Sequence, residues 1–208
     1  MLNCFSRRRS EGAAEQFSFV AVGYPKVGNT WLRVTLGRYT QRLAGLPELP
    51  LFELGDSQRL SKAVGPAGAG YFTHAPLEWT AQTASELNRA NVVRPFREQK
   101  VILLVRHPLD AVVSHYMHNS HKVEDGSRFT GSLDDFVEDQ VLGLDKLLKF
   151  YEVWREGLGD VRAYLLWRYE DARRDPLNNL QQIVRFLDLP MDQAAAKDAV
   201  DFSSFENM

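Results

Sequence analysis

Apolar positions along the chain switch between two periods. Phe17-Ser-Phe-Val-Ala-Val22 is a β-rich apolar run, and after a short loop Leu32, Leu36, Tyr39 and Leu43 recur at helical spacing, which predicts strand, loop, helix. Glu53 to Gly70 reads as a polar, Gly/Pro-bearing connection. A short strand at Tyr71-Phe72-Thr73 follows and ends in His74-Ala-Pro76, with a helix expected from Thr80 to Ala90. Val101-Ile-Leu-Leu-Val105 is a continuous apolar run of the kind buried on both faces of a parallel sheet, and it stops at Arg106-His-Pro108. Helical spacing resumes from Asp110 to His118 through Val112, Val113, Tyr116 and Met117. Ser132 is placed to cap a helix carrying Phe136 and Val137, while Leu144, Leu147, Leu148, Tyr151 and Trp154 form the face of another that Gly157 and Gly159 close. Val161, Ala163, Leu165, Trp167 and Tyr169 alternate as a strand, and Asp175-Pro176 opens a helix with Leu180, Ile183, Val184 and Leu187 on one face. Strands alternating with helices predict an α/β fold of three layers, a mostly parallel central sheet flanked by helices, with no internal repeat or second domain.

The loop between the first strand and helix carries the sharpest chemical signal. Gly23-Tyr-Pro-Lys-Val-Gly-Asn-Thr30 has the frame of the phosphate-cradling template G-x-x-x-x-G-K-[ST]. Gly23, Gly28 and Thr30 sit where it asks, while Asn29 replaces the lysine and Lys26 lies inside the loop. In such a P-loop-like unit the unpaired N–H groups of the loop and first helical turn point at an anion, and the helix dipole adds to the attraction. A bound anion is expected; Mg²⁺, the usual partner of an NTPase loop, is not.

Lys26, His74, Arg106 and Tyr169 each lie at or just past the C-terminal end of a different expected strand. In open α/β sheets ligands bind at that edge. Taken singly, each also reads as a turn histidine, a strand-end charge or a half-buried aromatic. Their convergence on the edge that holds the anion loop favours one site. In a P-loop ATPase or kinase the strand like Val101 to Val105 commonly ends in an Asp that helps hold Mg²⁺, whereas here it ends in Arg106. Ser114 falls in the first turns of the next helix, where its hydroxyl and Arg106 are placed to share a second phosphate. His115, His118 and His121 recur at intervals of three without cysteines or paired carboxylates, and read as an exposed helix face and loop rather than metal ligands.

Composition narrows the class. The 208 residues, 44% hydrophobic and 25% charged, fit one soluble globular domain with a sizeable core, and the net charge of −2 argues against a surface that coats nucleic acid. A single cysteine, Cys4, precludes a disulfide framework and fits a reducing, cytoplasmic compartment. The longest uncharged stretch, Ala63 to Leu77, is rich in Gly and Pro and reads as loop, so stable membrane insertion is not expected. Residues 1–16 contain Arg7-Arg8-Arg9 but no apolar segment of a secretory signal, and are expected to form a mobile tail before a single domain over 17–208. Oligomeric state, a homodimer included, is left open.

Together the segments Tyr24-Pro-Lys-Val-Gly-Asn-Thr-Trp31, Thr73-His-Ala-Pro76, Val105-Arg-His-Pro-Leu-Asp-Ala-Val-Val-Ser114 and Arg168-Tyr-Glu-Asp171 followed by Asp175-Pro176 resemble, in order, the signature segments of cytosolic-type sulfotransferases. The resemblance runs from about Phe17 to the end of the chain. It implies 3′-phosphoadenosine-5′-phosphosulfate (PAPS) as donor, 3′,5′-ADP as product, a hydroxyl or amine of a small molecule as acceptor, and no metal. By that resemblance Lys26, Val27, Gly28, Asn29 and Thr30 would hold the 5′-phosphosulfate, Trp31 would pack on the adenine, and Arg106 and Ser114 would bind the 3′-phosphate. Tyr169 matches an adenine-contacting position, Ser204 and Phe205 match further nucleotide contacts, and His74 matches the catalytic base, with Lys26 as its catalytic partner. Val27, Asn29 and Phe72 stand where the family usually has a small polar residue, Thr and Lys. Family members continue past the segment resembling Ser203-Ser-Phe-Glu-Asn-Met208 into an Arg-Lys-Gly segment that completes the 3′-phosphate pocket. The expectation is a C-terminally short member, either an enzyme or a non-catalytic nucleotide-binding relative; a degenerate P-loop kinase is the third reading.

Overall fold

The computed structural model describes residues 18–47, 70–74, 82–121 and 128–204. The expected N-terminal tail, most of the Glu53–Gly70 connection and Phe205 lie outside them. Along the chain run β1 (Phe19–Gly23), α1 (Asn29–Leu43), β2 (Gly70–Thr73), α2 (Arg89–Val92), β3 (Lys100–Val105), α3 (Pro108–His121), α4 (Leu133–Glu138), α5 (Leu144–Gly157), β4 (Ala163–Arg168), α6 (Tyr169–Arg174), α7 (Pro176–Phe186) and α8 (Gln193–Phe202).

All strand pairs are parallel, and the spatial order is β2-β1-β3-β4. Chain direction across the sheet therefore reverses at β1, and the crevice between the carboxyl ends of β1 and β3 is the topological switch point where α/β sheets take ligands. Register makes this edge level. Val22 lies opposite Thr73, Gly23 opposite Leu104, and Val105 opposite Arg168, so the residues that leave the strands next emerge side by side.

Burial follows strand position. Val101, Ile102, Leu103 and Leu104 of β3 are all buried, the signature of an inner strand covered on both faces. In β4, Trp167 is buried while Tyr164 and Leu166 are exposed, as the alternating sequence requires of a strand with one uncovered face. Helix starts match their caps. Ser132 and Asp135 exchange hydrogen bonds in a capping box before α4, Asp175 accepts from the Asn178 N–H at 3.1 Å before α7, and Asp192 accepts from the Ala195 N–H at 2.9 Å before α8.

The helix that carries the anion loop is fixed from its far side by α8. Arg38 Nε bonds Asp198 at 2.6 Å, Arg42 reaches the same carboxylate at 2.8 Å, and Thr35 Oγ1 donates to Ser203 Oγ at 2.7 Å. The Tyr39 hydroxyl donates to the Pro190 carbonyl and accepts from the Asp192 N–H. These bonds set the direction in which the N-terminus of α1 points.

Two expectations about elements are corrected. Thr80 to Ala90 is not one helix: within the described residues a 3₁₀ turn at Ala84–Glu86 ends at Leu87, and Asn88 restarts the chain as the N-cap of α2, accepting from the Ala90 and Asn91 N–H groups. Tyr169 does not extend β4; it is the first residue of α6, after Arg168 leaves the strand as its N-cap.

Candidate anion-binding site at the sheet edge

The loop from β1 to α1 turns through two left-handed residues, Lys26 at φ 68° and Gly28 at φ 113°. For a lysine this conformation carries a strain on the order of 1 kcal/mol, so the surroundings must hold it. They do: Arg106 Nη1 donates to the Lys26 carbonyl at 3.1 Å. Val27 beside it is fully buried, and Gly23 is a glycine because a Cβ there would stand 2.7 Å from Val27 Cγ2 and 3.0 Å from Asn29 Oδ1. Gly28 is the N-cap of α1 and supplies no side-chain cap, so the first-turn N–H groups of Asn29, Thr30 and Trp31 face the loop rather than a capping oxygen. A Cβ at Gly28 would lie 2.8 Å from the Trp167 ring and 3.0 Å from Tyr169. The aromatic side chains press directly on the loop.

Arg106 sits at the centre of this arrangement. Its guanidinium lies 4.3 Å from the centroid of the Tyr169 ring, a cation–π contact, and its Nε is buried with no hydrogen-bond partner among the described residues. The backbone below is pinned twice. Tyr151 Oη, on α5, accepts from the Arg106 N–H at 3.0 Å and donates to the Arg106 carbonyl at 3.0 Å, and Glu170 accepts from the His107 N–H at 2.7 Å. Burial pushes the Tyr151 phenol up to about 12, so it stays protonated and able to make both bonds. Trp31, Trp167 and Tyr169 form an edge-on aromatic cluster with centroids 5.6 to 6.4 Å apart. A narrow cleft opens beside it, with Trp31, Thr35, Trp167 and Ser203 among its walls.

His74, the first residue past β2, meets the loop from the other side. Its Nδ1 lies 2.7 Å from the Gly23 carbonyl oxygen, and the Asn29 carboxamide nitrogen lies 2.9 Å from Nδ1 and 3.4 Å from Nε2. Desolvation by burial is the main cause that lowers the His74 pKa below the usual histidine value. The Gly23 hydrogen bond opposes it, while the positive charges of Lys26 and Arg33 add to the lowering. Burial and the two cations thus favour the uncharged imidazole.

Direct contacts thus join Lys26, Arg106 and Tyr169 in one group and Asn29, His74 and Gly23 in another, and the loop that holds Val27 and Gly28 and runs into Trp31 connects the two at one sheet edge. Thr30 is exposed in that turn, and Ser114 is half-buried in the second turn of α3. Ser204 follows α8, next to the Thr35–Ser203 bond and so one turn of α1 below Trp31. Three participants escape a reading of the sequence. Tyr151 shows there only as one apolar position of a helix face, Trp167 as one of an alternating strand, and Glu170 only as a letter of the Arg168-Tyr-Glu-Asp171 segment, with no role of its own.

His115 is a correction. It is buried, edge-on to Tyr24 at 5.8 Å and Phe136 at 5.3 Å, and burial is the main cause that lowers its pKa to about 4. His121 alone of the three histidines on α3 is exposed. Among the described residues, no group of three or more His, Cys, Asp or Glu could hold a metal ion, and no helix is long and apolar enough to cross a membrane.

Comparison with known proteins gives the same frame. The chain is 25% identical over 214 residues to cytosolic sulfotransferase 15 of Arabidopsis thaliana, covering 88% of this chain and 56% of that protein. It is 26% identical over 191 residues to sulfotransferase 1A1 of Bos taurus, covering 89% of this chain and 63% of the relative. The chain thus spans about three-fifths of the length of these curated relatives, by the 56% and 63% coverage. The crystal structure of mouse sulfotransferase SULT7A1 complexed with PAP superposes with a TM-score of 0.62 at 20% identity, over 98% of this chain and 71% of that one, and supports the fold. The family model for the sulfotransferase domain matches residues 18–208. With a match over nearly its whole length and an α/β fold shared with a solved member, the chain belongs to the sulfotransferase family.

Proposed function

We propose that this chain binds PAPS at the β1/β3 switch point and transfers its sulfuryl group to a hydroxyl or amine of a small-molecule acceptor, releasing 3′,5′-ADP. The reading puts the reaction in the cytoplasm, with side-chain cations neutralising the donor. The observation that carries it is the bond from Arg106 to the Lys26 carbonyl. It brings the strand-end cation against the anion loop while leaving the buried Nε without a partner among the described residues.

The chemistry of the residues fits the donor. A 3′-phosphate carries nearly two negative charges and calls for a cation in a fork, which guanidinium supplies bidentately. In this reading Arg106 and Ser114 hold that phosphate, and the loop N–H groups from Val27 to Trp31, with Lys26, Asn29 and Thr30, hold the phosphosulfate. The aromatic cluster of Trp31 and Tyr169, with Ser204 and Phe205, receives the adenosine. PAPS supplies an activated sulfuryl group, whose sulfur bonds to the acceptor oxygen or nitrogen as its bond to the 5′-phosphate oxygen breaks. Lys26 and the loop N–H groups stabilise the charge that grows on that leaving oxygen, each such donor contributing roughly 3 to 4 kcal/mol. His74 Nε2 takes the acceptor's proton, on the order of 10²- to 10⁴-fold in rate.

The test is transfer of labelled sulfate from PAPS to a panel of phenols, alcohols and amines. Wild type is expected to turn over. His74→Ala is expected to lose transfer while keeping 3′,5′-ADP binding; turnover that survives the substitution would remove His74 from the role of base. A second reading, a nucleotide-binding relative without turnover, draws on Phe72, an apolar side chain packed on Phe19 at 6.2 Å, two residues before His74. Good 3′,5′-ADP binding with no transfer to any acceptor is its signature.

A further inference from the structure

We infer that Asn29 is the positioning residue of His74: with the Gly23 carbonyl, its carboxamide forms a two-point cradle that fixes the imidazole as the Nδ1–H tautomer and leaves the lone pair on Nε2. The inference rests on the proposed role of His74 as proton acceptor, and gives that role a chemical cause.

The first point of the cradle comes from the sheet. Because Val22 and Thr73 are register partners, Gly23 and His74 leave their strands side by side, and the Gly23 carbonyl stands 2.7 Å from Nδ1. A carbonyl oxygen only accepts, so a contact of this length requires the hydrogen on Nδ1. Gly23 cannot be replaced by a larger residue without intruding on Asn29, whose Oδ1 would lie 3.0 Å from a Cβ there.

The second point comes from α1. Asn29 is its first residue, and its carboxamide lies along the ring edge, 2.9 Å from Nδ1 and 3.4 Å from Nε2. With Nδ1 protonated, an amide NH₂ directly opposite would set donor against donor. The other end of the same group, Oδ1, is buried with no hydrogen-bond partner among the described residues. A half-turn of the carboxamide removes the conflict at the ring: Oδ1 accepts from Nδ1–H, which is then shared between Asn29 and Gly23, while the NH₂ takes the buried position that Oδ1 held.

The charges around the ring decide its protonation but not its tautomer. Lys26 in the loop and Arg33 on α1 are the cations that act on it, and His115 on α3 is the neighbouring imidazole. Lys26 and Arg33 disfavour the imidazolium, which carries hydrogen on both nitrogens, and so do not choose between the two neutral tautomers. The choice of nitrogen needs a directed acceptor, and a carboxamide at position 29 provides one beyond the backbone carbonyl.

Long-range ¹H–¹⁵N NMR on the full chain with ¹⁵N-labelled histidine reads the tautomer directly. Wild type at pH 7.5 is expected to show His74 with Nδ1 protonated and Nε2 bare. Asn29→Ala is expected to give a mixture of tautomers, with His115 unchanged as a control for folding. Asn29→Asp places a carboxylate on Nδ1–H and is expected to raise the His74 pKa by about one unit or more. An Nε2–H tautomer in wild type overturns the inference. So does a His74 signal indifferent to Asn29→Ala, together with a pKa that Asn29→Asp moves by less than about 0.2. Calorimetry of wild type with 3′,5′-ADP separates the two levels: no binding there defeats the donor reading, while the NMR outcome still decides the cradle.

Discussion

Arg106 and Lys26 are 80 positions apart and meet through a hydrogen bond, Nη1 to carbonyl oxygen at 3.1 Å. The bond holds Lys26 in its left-handed conformation and sets the cation at the end of β3 beside the loop at the end of β1. Both ends of the proposed donor site are therefore one mechanical unit. The guanidinium of Arg106 and the loop backbone at Lys26 hold each other in place.

Arg106→Lys tests the unit while keeping the charge. An ammonium cannot donate to the Lys26 carbonyl, lie flat on the Tyr169 ring and fork onto a phosphate together. The affinity for 3′,5′-ADP, measured by calorimetry, is expected to fall on the order of tenfold or more, about 1.4 kcal/mol. An unchanged affinity would mean that charge alone is read at this position.

Gly28 and Gly45 form a matched pair for backbone strain. Both have positive φ, 113° and 62°, but a Cβ on Gly28 meets Trp167 at 2.8 Å, whereas one on Gly45 meets nothing within 4 Å. Gly45→Ala is expected to cost about 1 kcal/mol from conformation alone, and Gly28→Ala 1 to 3 kcal/mol more, in rough terms, as Trp167 is displaced. Thermal unfolding of the two variants checks the order, with each kcal/mol worth about 2 to 4 °C at this chain length.

Tyr151→Phe removes one oxygen and leaves both the N–H and the carbonyl of Arg106 without that partner. The expected loss is about 1 to 2 kcal/mol of stability. 3′,5′-ADP affinity is expected to drop several-fold as the strand end loosens. A variant equally destabilised at a distant core position and retaining full affinity would be the proper contrast.

Asp198 gives the acid limb of stability. Its hydrogen bond from Arg42 is the largest cause that lowers its pKa to about 2, with Arg38 adding to it and desolvation opposing. A carboxylate whose pKa is lower folded than unfolded stabilises above its unfolded value, near 3.8, and that stability disappears as pH falls toward 2. Asp198→Asn is expected to be less stable at pH 7 and to show a shallower loss between pH 4 and 2, as read by urea unfolding across that range.

Much of this was legible in the residues. The unbroken apolar run of β3 and the alternating β4 follow from what their neighbours cover, and Ser132 and Asp175 mark helix starts by capping chemistry local to a few residues. The clustering of Lys26, His74, Arg106 and Tyr169 followed from strand ends alone, because a parallel sheet puts all its carboxyl ends on one edge. What failed was local competition and distant contact. Asn88 broke the expected helix by taking two backbone N–H groups with its side chain. The three-residue spacing of the histidines on α3 hid that His115 shares the inner face with Ala111 and Val112. Tyr169 kept the alternation of β4 in sequence although the chain had already turned into α6. Tyr151 pins Arg106 from 45 residues away, and no periodicity reports such a bond.

In the proposed function Lys26 and Arg106, rather than a divalent ion, hold a doubly phosphorylated adenosine. Calorimetric titration of the full chain with 3′,5′-ADP in the presence of EDTA tests it most directly, alongside the Lys26→Ala, Arg106→Ala double variant. Saturable binding that EDTA leaves unchanged and the double variant abolishes is the expected result. Binding that needs Mg²⁺, or that survives the loss of both cations, would contradict it.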